Sequence, residues 1–217
     1  MRFPVPSILF AMALVALSLP RFLAANAALA GNAAIAELEA GREPGRHGME
    51  RAGSSRRNAL FWLDDDRYLS ELASVELTNL RNEAGEAGRG AAAATAVDLA
   101  RSAVSRAPGE ADAWYLLALA AATAGMPDLA AGTIEGSYTA APFHPQLRFS
   151  RVHLGLLLAG KLSADARAGL RREMDEVLDT EPLRLAGLIE SAGLAEAAQS
   201  IVASTSPRKP SALRPAD

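Results

Sequence analysis

Three adjacent carboxylates, Asp64, Asp65 and Asp66, are the first group in this chain whose chemistry could be that of a metal site. A calcium-binding loop needs alternating oxygen ligands, a central glycine and a distant glutamate, and this pattern does not follow here. A helical pattern (RYLSELASVELTNL) begins directly after the aspartates. Carboxylates in that position accept hydrogen bonds from the free N–H groups of a helix start and favour its dipole. The sequence therefore predicts a helix cap and no metal site.

The other residue types that carry catalysis are isolated from the partners they would need. His47, His144 and His153 include no pair at the i, i+4 spacing of a metal-binding helix with a carboxylate partner. Ser206 and Lys209 have the spacing of a serine–lysine pair, but they lie in a proline-rich tail where no helix could present them. Gly88-Arg89-Gly90 precedes a helix but has neither the strand nor the Gly-Lys-Ser/Thr sequence of a phosphate loop. We therefore expect no enzyme activity, no metal and no cofactor.

Composition indicates which structural elements must position these residues. Half of the 217 residues are hydrophobic, only 5% are aromatic, and alanine dominates the apolar class. Alanine has the highest helix propensity, and the β-branched and aromatic runs typical of strands are scarce, so the fold class is predicted to be all-α. The net charge of −3 argues against a nucleic-acid partner, and the absence of cysteine excludes disulfides and thiolate sites.

The amino terminus is predicted to be a membrane signal, assigned with its helical extension to residues 1–40. The uncharged run from Pro4 to Leu19 follows Arg2, as in a secretory signal or a signal anchor. Cleavage after Ala28-Leu29-Ala30 is one reading. The reading we favour is an uncleaved anchor from about Phe3 to Leu23, because that cleavage site lies far beyond the apolar run. The signal-like start favours export of the remaining chain, although the arginines downstream argue mildly against it.

The rest of the chain divides into three predicted segments. Residues 41–57 are rich in glycine, arginine and serine and are predicted to be a linker, residues 58–204 form a helical domain, and residues 205–217 form a disordered proline-rich tail. The predicted helices are Arg67–Ala84, Ala91–Ala107, Asp112–Ala124, Pro127–Ala140, Gln146–Ala159, Ser163–Asp179, Leu183–Ser191 and Leu194–Ser204.

An internal repeat is the most informative pattern in the helical domain. Pro108 and Pro142 are 34 residues apart, and the text before them is similar, Ser-Arg-Ala-Pro against Thr-Ala-Ala-Pro. This unit resembles the tetratricopeptide repeat family, whose period it shares. The positions that match the family's packing pattern are Trp114, Leu117, Ala118, Ala130, Ile134, Ser137, Pro108 and Pro142. The preceding unit is a partial match, and after Pro142 the register places Arg148, Arg151 and Glu176 at key positions and fails.

The resemblance implies a short solenoid of antiparallel helix pairs whose first helices line a concave binding groove. The groove positions it implies are Asp112, Tyr115, Leu119 and Thr123, with Thr78 and Arg81 from the partial unit. The alternative for Tyr115 and Leu119 is packing against the neighbouring helix pair. The anchor, the Ala59-Leu60-Phe61-Trp62 element and the helix pairs are also similar to membrane-anchored repeat proteins associated with Gram-negative exopolysaccharide biosynthesis.

The sequence thus predicts a protein-binding scaffold held by a single-pass anchor in the inner membrane, with its helical domain in the periplasm. Its partners are expected to be membrane-associated proteins, and its process exopolysaccharide biosynthesis or export. One alternative is a structural membrane subunit that acts mainly through its anchor helix. Another is an enzyme whose site combines scattered residues such as Asp64, Asp66 and His153.

Overall fold

The computed structural model describes residues 5–80 and 85–204, and these residues form helices and turns without any strand. The all-α prediction is therefore confirmed for this part of the chain. The helices are α1 (Val5–Ala28), α2 (Asn32–Glu39), α3 (Arg46–Trp62), α4 (Asp66–Asn79), α5 (Glu86–Arg106), α6 (Ala111–Thr123), α7 (Pro127–Ala140), α8 (Pro145–Leu157), α9 (Ala164–Thr180), α10 (Pro182–Ser191) and α11 (Ala195–Ser204), with a 3₁₀ turn at Leu29–Gly31 between α1 and α2.

The chain divides into two compact units, Met1–Gly109 and Glu110–Asp217, called unit 1 and unit 2 below. The sequence predicted one helical domain over residues 58–204, preceded by a linker. The observed division differs from this prediction. Helices α1 to α5 pack together into one body, and α6 to α11 form the other. The proline-rich tail, residues 205–217, lies outside the described residues.

In unit 1, α1 and α2 run antiparallel to α3. Ala24 and Ala28 pack against Ala59, and further along the chain Ala34 and Ile35 pack against Met49 and Ala52. Between these contacts a Cβ atom added to Gly31 would lie 2.1 Å from the Ser55 Oγ and 2.8 Å from the Ala52 Cα. The helices approach this closely because the residues between them are small.

The predicted linker is wrong over most of its length, since α3 begins at Arg46. Its buried residues are Met49, Ala52, Gly53, Ser55, Arg56 and Ala59, which recur at helical spacing on one face. That face contains few large apolar side chains, so a search for apolar residues at helical spacing does not detect it. Helix α5 likewise begins at Glu86, before the predicted Ala91, because the glycines of its first turns are tolerated within a helix at about 1 kcal/mol each.

The segment Ile8–Glu39 is long and apolar enough to cross a membrane. Its large hydrophobic side chains between Ile8 and Phe22 are exposed rather than buried in the protein. An amino-terminal signal sequence would pass the same test of length and composition, so this observation alone leaves both predicted readings in place.

Unit 2 is built from consecutive helix pairs. Helix α6 packs against α7 and α8 packs against α9, and the second pair lies beside the first through α6 with α8 and α7 with α9. Gly125 closes the first hairpin at a φ of 72°, which glycine adopts without strain. Pro145 occupies the first turn of α8, one residue before the predicted start at Gln146, where its missing N–H costs nothing.

Candidate functional site

The predicted groove residues of α6 lie on one face of that helix and differ in exposure. Asp112 and Thr123, near its two ends, are exposed. Tyr115 and Leu119, between them, are half-buried and pack against the main hydrophobic cluster of unit 2. The face therefore has solvent-exposed polar ends and a centre that is partly covered.

Helix α8 supplies part of that cover. The Tyr115 hydroxyl shares a hydrogen bond with Ser150 of α8, and burial raises the pKa of the phenol. Tyr115 and Leu119 thus contribute to the packing of unit 2, as the alternative reading held. Their role in binding a partner stays a prediction, restricted to the portions of their surfaces that remain exposed.

Asp112 is joined to the turn before α8. Its Oδ2 atom lies 3.4 Å from the Nε2 atom of His144, whose Nδ1 atom accepts a hydrogen bond from the Leu147 N–H at 3.3 Å. Because Nδ1 accepts, the proton of a neutral imidazole is on Nε2 and points towards Asp112. The Thr123 hydroxyl donates to the Leu119 carbonyl at 2.8 Å. The exposed face therefore offers the Asp112 carboxylate and the acceptor lone pairs of the Thr123 hydroxyl.

The remaining predicted groove positions belong to unit 1. Thr78 is half-buried on α4 and donates to the Ser74 carbonyl at 2.9 Å. Arg81 lies outside the described residues, so its groove role stays a prediction.

The predicted repeat residues are mostly core residues of unit 2. Those that are buried are Leu117, Ala118, Ala130, Ile134 and Ser137. The Ser137 hydroxyl donates to the Ala111 carbonyl at 2.9 Å and so joins α7 to the start of α6. Trp114 is half-buried, and a Cβ atom added to Gly136 of α7 would lie 2.5 Å from its ring. Pro108 and Pro142 are exposed after α5 and α7 respectively.

Sequence analysis missed a buried ionic network that joins the two helix pairs of unit 2. The Arg151 side chain is fully buried and donates to the carbonyls of Ser137 and Ala141, each at 3.0 Å, and to the Glu173 carboxylate. Its guanidinium lies 5.1 Å from the centre of the Tyr138 ring. Burial raises the pKa of Glu173 to about 7, against the opposing effect of Arg151. Arg151 and its neighbours therefore supply a polar connection between the two helix pairs of unit 2.

Arg148, Arg151 and Glu176 are the residues at which the predicted repeat register fails. In the structure Arg148 pairs with Glu176 at 3.1 Å, and Arg151 pairs with Glu173, so both arginines of α8 contact α9. The available signal was two arginines one turn apart in one helix facing two glutamates one turn apart in the next. A purely apolar repeat pattern could not detect it.

A second buried network joins the amino-terminal helices to the rest of unit 1. Arg56 of α3, 1% exposed, donates to the Ala28 carbonyl at 2.6 Å, to the Asn32 Oδ1 atom at 2.9 Å and to the Glu71 carboxylate of α4. Glu71 also accepts from the Arg67 Nε–H at 2.8 Å. One guanidinium thus connects the end of α1, the start of α2, and α4.

The acidic triplet forms the predicted helix cap. The Asp65 Oδ1 atom accepts from the Arg67 N–H at 3.0 Å, Asp66 lies in the first turn of α4, and Asp64 pairs with Arg106. Among residues 5–80 and 85–204, no group of three or more histidine, aspartate or glutamate side chains has the arrangement of a metal site.

Comparison of the chain with protein-family models, with curated proteins and with solved structures finds no match. The resemblance to the tetratricopeptide repeat family therefore stays a prediction from the sequence.

Proposed function

We propose that this protein is a membrane-tethered scaffold for protein partners, in which α1 is a permanent anchor and unit 2 presents the binding surface. The observation that supports the anchor best is the position of Ala24 and Ala28. Both are buried in unit 1 against Ala59, and the Ala28 carbonyl accepts a hydrogen bond from Arg56.

Cleavage after Ala30 would remove these contacts. Arg56 would lose the carbonyl of Ala28, and Ala59 would lose the apolar surface that covers it. Leaving a buried cation with fewer acceptors costs roughly 1–3 kcal/mol per lost partner. A signal peptide is discarded and has no need of such packing, so the packing favours an anchor that stays with the protein.

The scaffold role is supported by the face formed by α6 and α8. Asp112 offers a directional acceptor, and Tyr115 and Leu119 leave part of their apolar surface open beside it. A partly exposed aromatic ring beside a charged group is typical of protein-binding surfaces. The proposed location is the inner membrane with the two units in the periplasm, and the proposed process is exopolysaccharide biosynthesis or export.

The experiment is crosslinking and affinity purification of the full-length protein from membranes of its native cell. The Asp112→Ala, Thr123→Ala double variant is expected to lose most of the co-purified protein while its helicity and melting temperature remain nearly unchanged. Both side chains are exposed, and a partly exposed pair such as Asp112 with His144 contributes little to stability. The matched control is Asp179→Ala, Thr180→Ala, an exposed aspartate and threonine of α9. Tyr115 is left intact, because its truncation would also disturb the packing on α8.

An anchor exchange separates the scaffold from a structural membrane subunit. A foreign apolar span replaces residues 5–19 and leaves Ala24 and Ala28 in place. A scaffold retains its partners after this exchange. If the exchange releases the partners while the Asp112, Thr123 variant keeps them, the membrane helix is the true contact and the scaffold proposal is wrong.

A further inference from the structure

The carboxyl-terminal end of α3 carries two exposed aromatic side chains. Phe61 is 80% exposed and Trp62 is 46% exposed. Their rings meet edge to face, with centres 5.2 Å apart and planes at 84°. Large exposed aromatic pairs are unusual on a surface that contacts only water, because burying either ring would be favourable.

The register of α3 against α1 fixes where this end lies. Because the helices are antiparallel, each contact nearer the end of α3 involves a residue nearer the start of α1. Ala34 of α2 lies near Gly48, Gly31 lies near Ala52 and Ser55, and Ala24 and Ala28 lie near Ala59. Trp62 is three residues beyond Ala59, about 4.5 Å further along the helix axis. Phe61 and Trp62 therefore lie beside the part of α1 that precedes Ala24.

In this part of α1 the continuous run of exposed apolar side chains ends, because Leu23 is half-buried and Ala24 is buried; Leu29, in the turn after α1, is exposed again. Phe22 is 66% exposed, and the large side chains before it are exposed as far as Ile8. Arg21, which directly precedes Phe22, is exposed and donates to the Leu17 carbonyl at 3.2 Å. A cation next to the end of an apolar span is typical of the headgroup layer, where the charge can reach water or phosphate. The aromatic pair of α3 thus continues the apolar surface of α1 at its interfacial end.

The charged groups near this end do not oppose contact with lipid. Asp64 is paired with Arg106, Asp65 caps α4, and Arg67 is paired with Glu71. Asp66, the remaining member of the triplet, lies in the first turn of α4, where the helix dipole favours a negative charge. Each carboxylate therefore has a compensating group within unit 1.

We propose that Phe61 and Trp62 insert into the headgroup layer of the bilayer and hold unit 1 against the membrane surface. The occupant of this surface is phospholipid, since tryptophan and other aromatic rings concentrate at that depth, with an apolar body and, in tryptophan, a polar N–H. The inference rests on the proposed membrane anchor. It adds a second contact with the same membrane, beside the contact made by α1. Unit 1 then has a fixed orientation on the membrane surface and does not move freely on a tether.

The test uses the fact that the chain has two tryptophans, Trp62 and Trp114. In the full-length Trp114→Phe variant, Trp62 is the only tryptophan. The variant is placed in phosphatidylcholine nanodiscs whose acyl chains carry bromine atoms either near the headgroup or near the bilayer centre. We expect bromine near the headgroup to cause a loss of Trp62 emission, bromine at the centre to cause a smaller loss, and iodide in the buffer to quench little.

The full-length Trp62→Phe variant, which retains Trp114, is the background measurement in the same nanodiscs. Retention of the Trp114→Phe chain in the disc with no loss of Trp62 emission from either lipid would overturn the inference and leave the anchor standing. Quenching of Trp62 by iodide would then show that Phe61 and Trp62 face water or a protein partner. Failure of the chain to co-purify with the discs would instead refute the anchor, and with it this inference.

Discussion

Small residues determine how closely the helices of unit 2 approach. Gly132 and Gly136 are one turn apart on α7, and they differ in what an added methyl group would meet. At Gly136 a Cβ atom would lie 2.5 Å from two atoms of the Trp114 ring, whereas at Gly132 nothing lies within 4 Å. The two positions therefore separate close packing from intrinsic helix propensity within one helix.

We expect Gly136→Ala to destabilise unit 2 by roughly 1–3 kcal/mol, because the Trp114 ring must move away from the hairpin. Gly132→Ala is expected to stabilise it by roughly 0.5–1 kcal/mol, because alanine loses less backbone freedom on folding. Thermal unfolding of the detergent-purified protein, followed by circular dichroism, gives the comparison. Equal melting temperatures for the two variants would show that Trp114 does not pack on α7.

At the scale of elements, the two arginines of α8 connect to α9 in different environments. Arg151 and Glu173 are buried, whereas Arg148 and Glu176 are partly exposed. A buried charge that loses its partner is left without solvent, while an exposed one regains water. The same substitution at these two positions therefore measures what the buried network contributes to the pairing of helices.

Arg151→Met is expected to cost roughly 3–5 kcal/mol, because the Glu173 carboxyl and the carbonyls of Ser137 and Ala141 lose their donor. Arg148→Met is expected to cost at most about 1 kcal/mol. Both are measured by urea unfolding in a Trp62→Phe background, in which Trp114 reports on unit 2 alone. Replacing Arg151 and Glu173 together by methionine should restore most of the loss. If that double variant is no more stable than Arg151→Met, the cost arises from lost packing and from the unpaired carbonyls of Ser137 and Ala141, and not from the stranded charge.

At the scale of the whole molecule, the amino-terminal helix belongs to the folded protein. Ala24, Ala28 and Gly31 are buried in unit 1, and Arg56 bonds to residues on both sides of the Leu29–Gly31 turn. The membrane-spanning part of the proposed anchor therefore ends before Ala24.

We expect the purified protein to retain its amino terminus, with an intact mass that includes residues before Gly31. The control is Ala30→Arg at an exposed position, which blocks a peptidase that needs a small residue before the cut. The wild-type and Ala30→Arg chains should have the same electrophoretic mobility and the same resistance to extraction from membranes by salt. A shorter wild-type chain in a soluble fraction would show that the segment is a cleaved signal.

Local sequence determined most of the helices. From α6 to α11 the predicted and observed ends agree to within two residues. Pro127 lies in the first turn of α7, Ser163 caps α9 by accepting from the Ala166 N–H, and Gly125 adopts the positive φ of the hairpin. Signals of this kind act over one turn of chain, so the residue types and their spacing are sufficient to locate them.

Tertiary structure decided which helices pack together and which polar groups are buried. Helix α3 is stabilised by contacts with α1, α2 and α4, and its buried face contains few large apolar residues, so the sequence pattern does not indicate that face. Arg56 and Arg151 are buried together with acidic partners that lie 15 and 22 residues away along the chain. Only the packing of different helices brings the members of these pairs together. The position of Tyr115 on α6 predicts a groove residue, yet α8 covers part of its side chain. A sequence pattern reports the face of one helix, whereas burial depends on the neighbouring helix that covers that face.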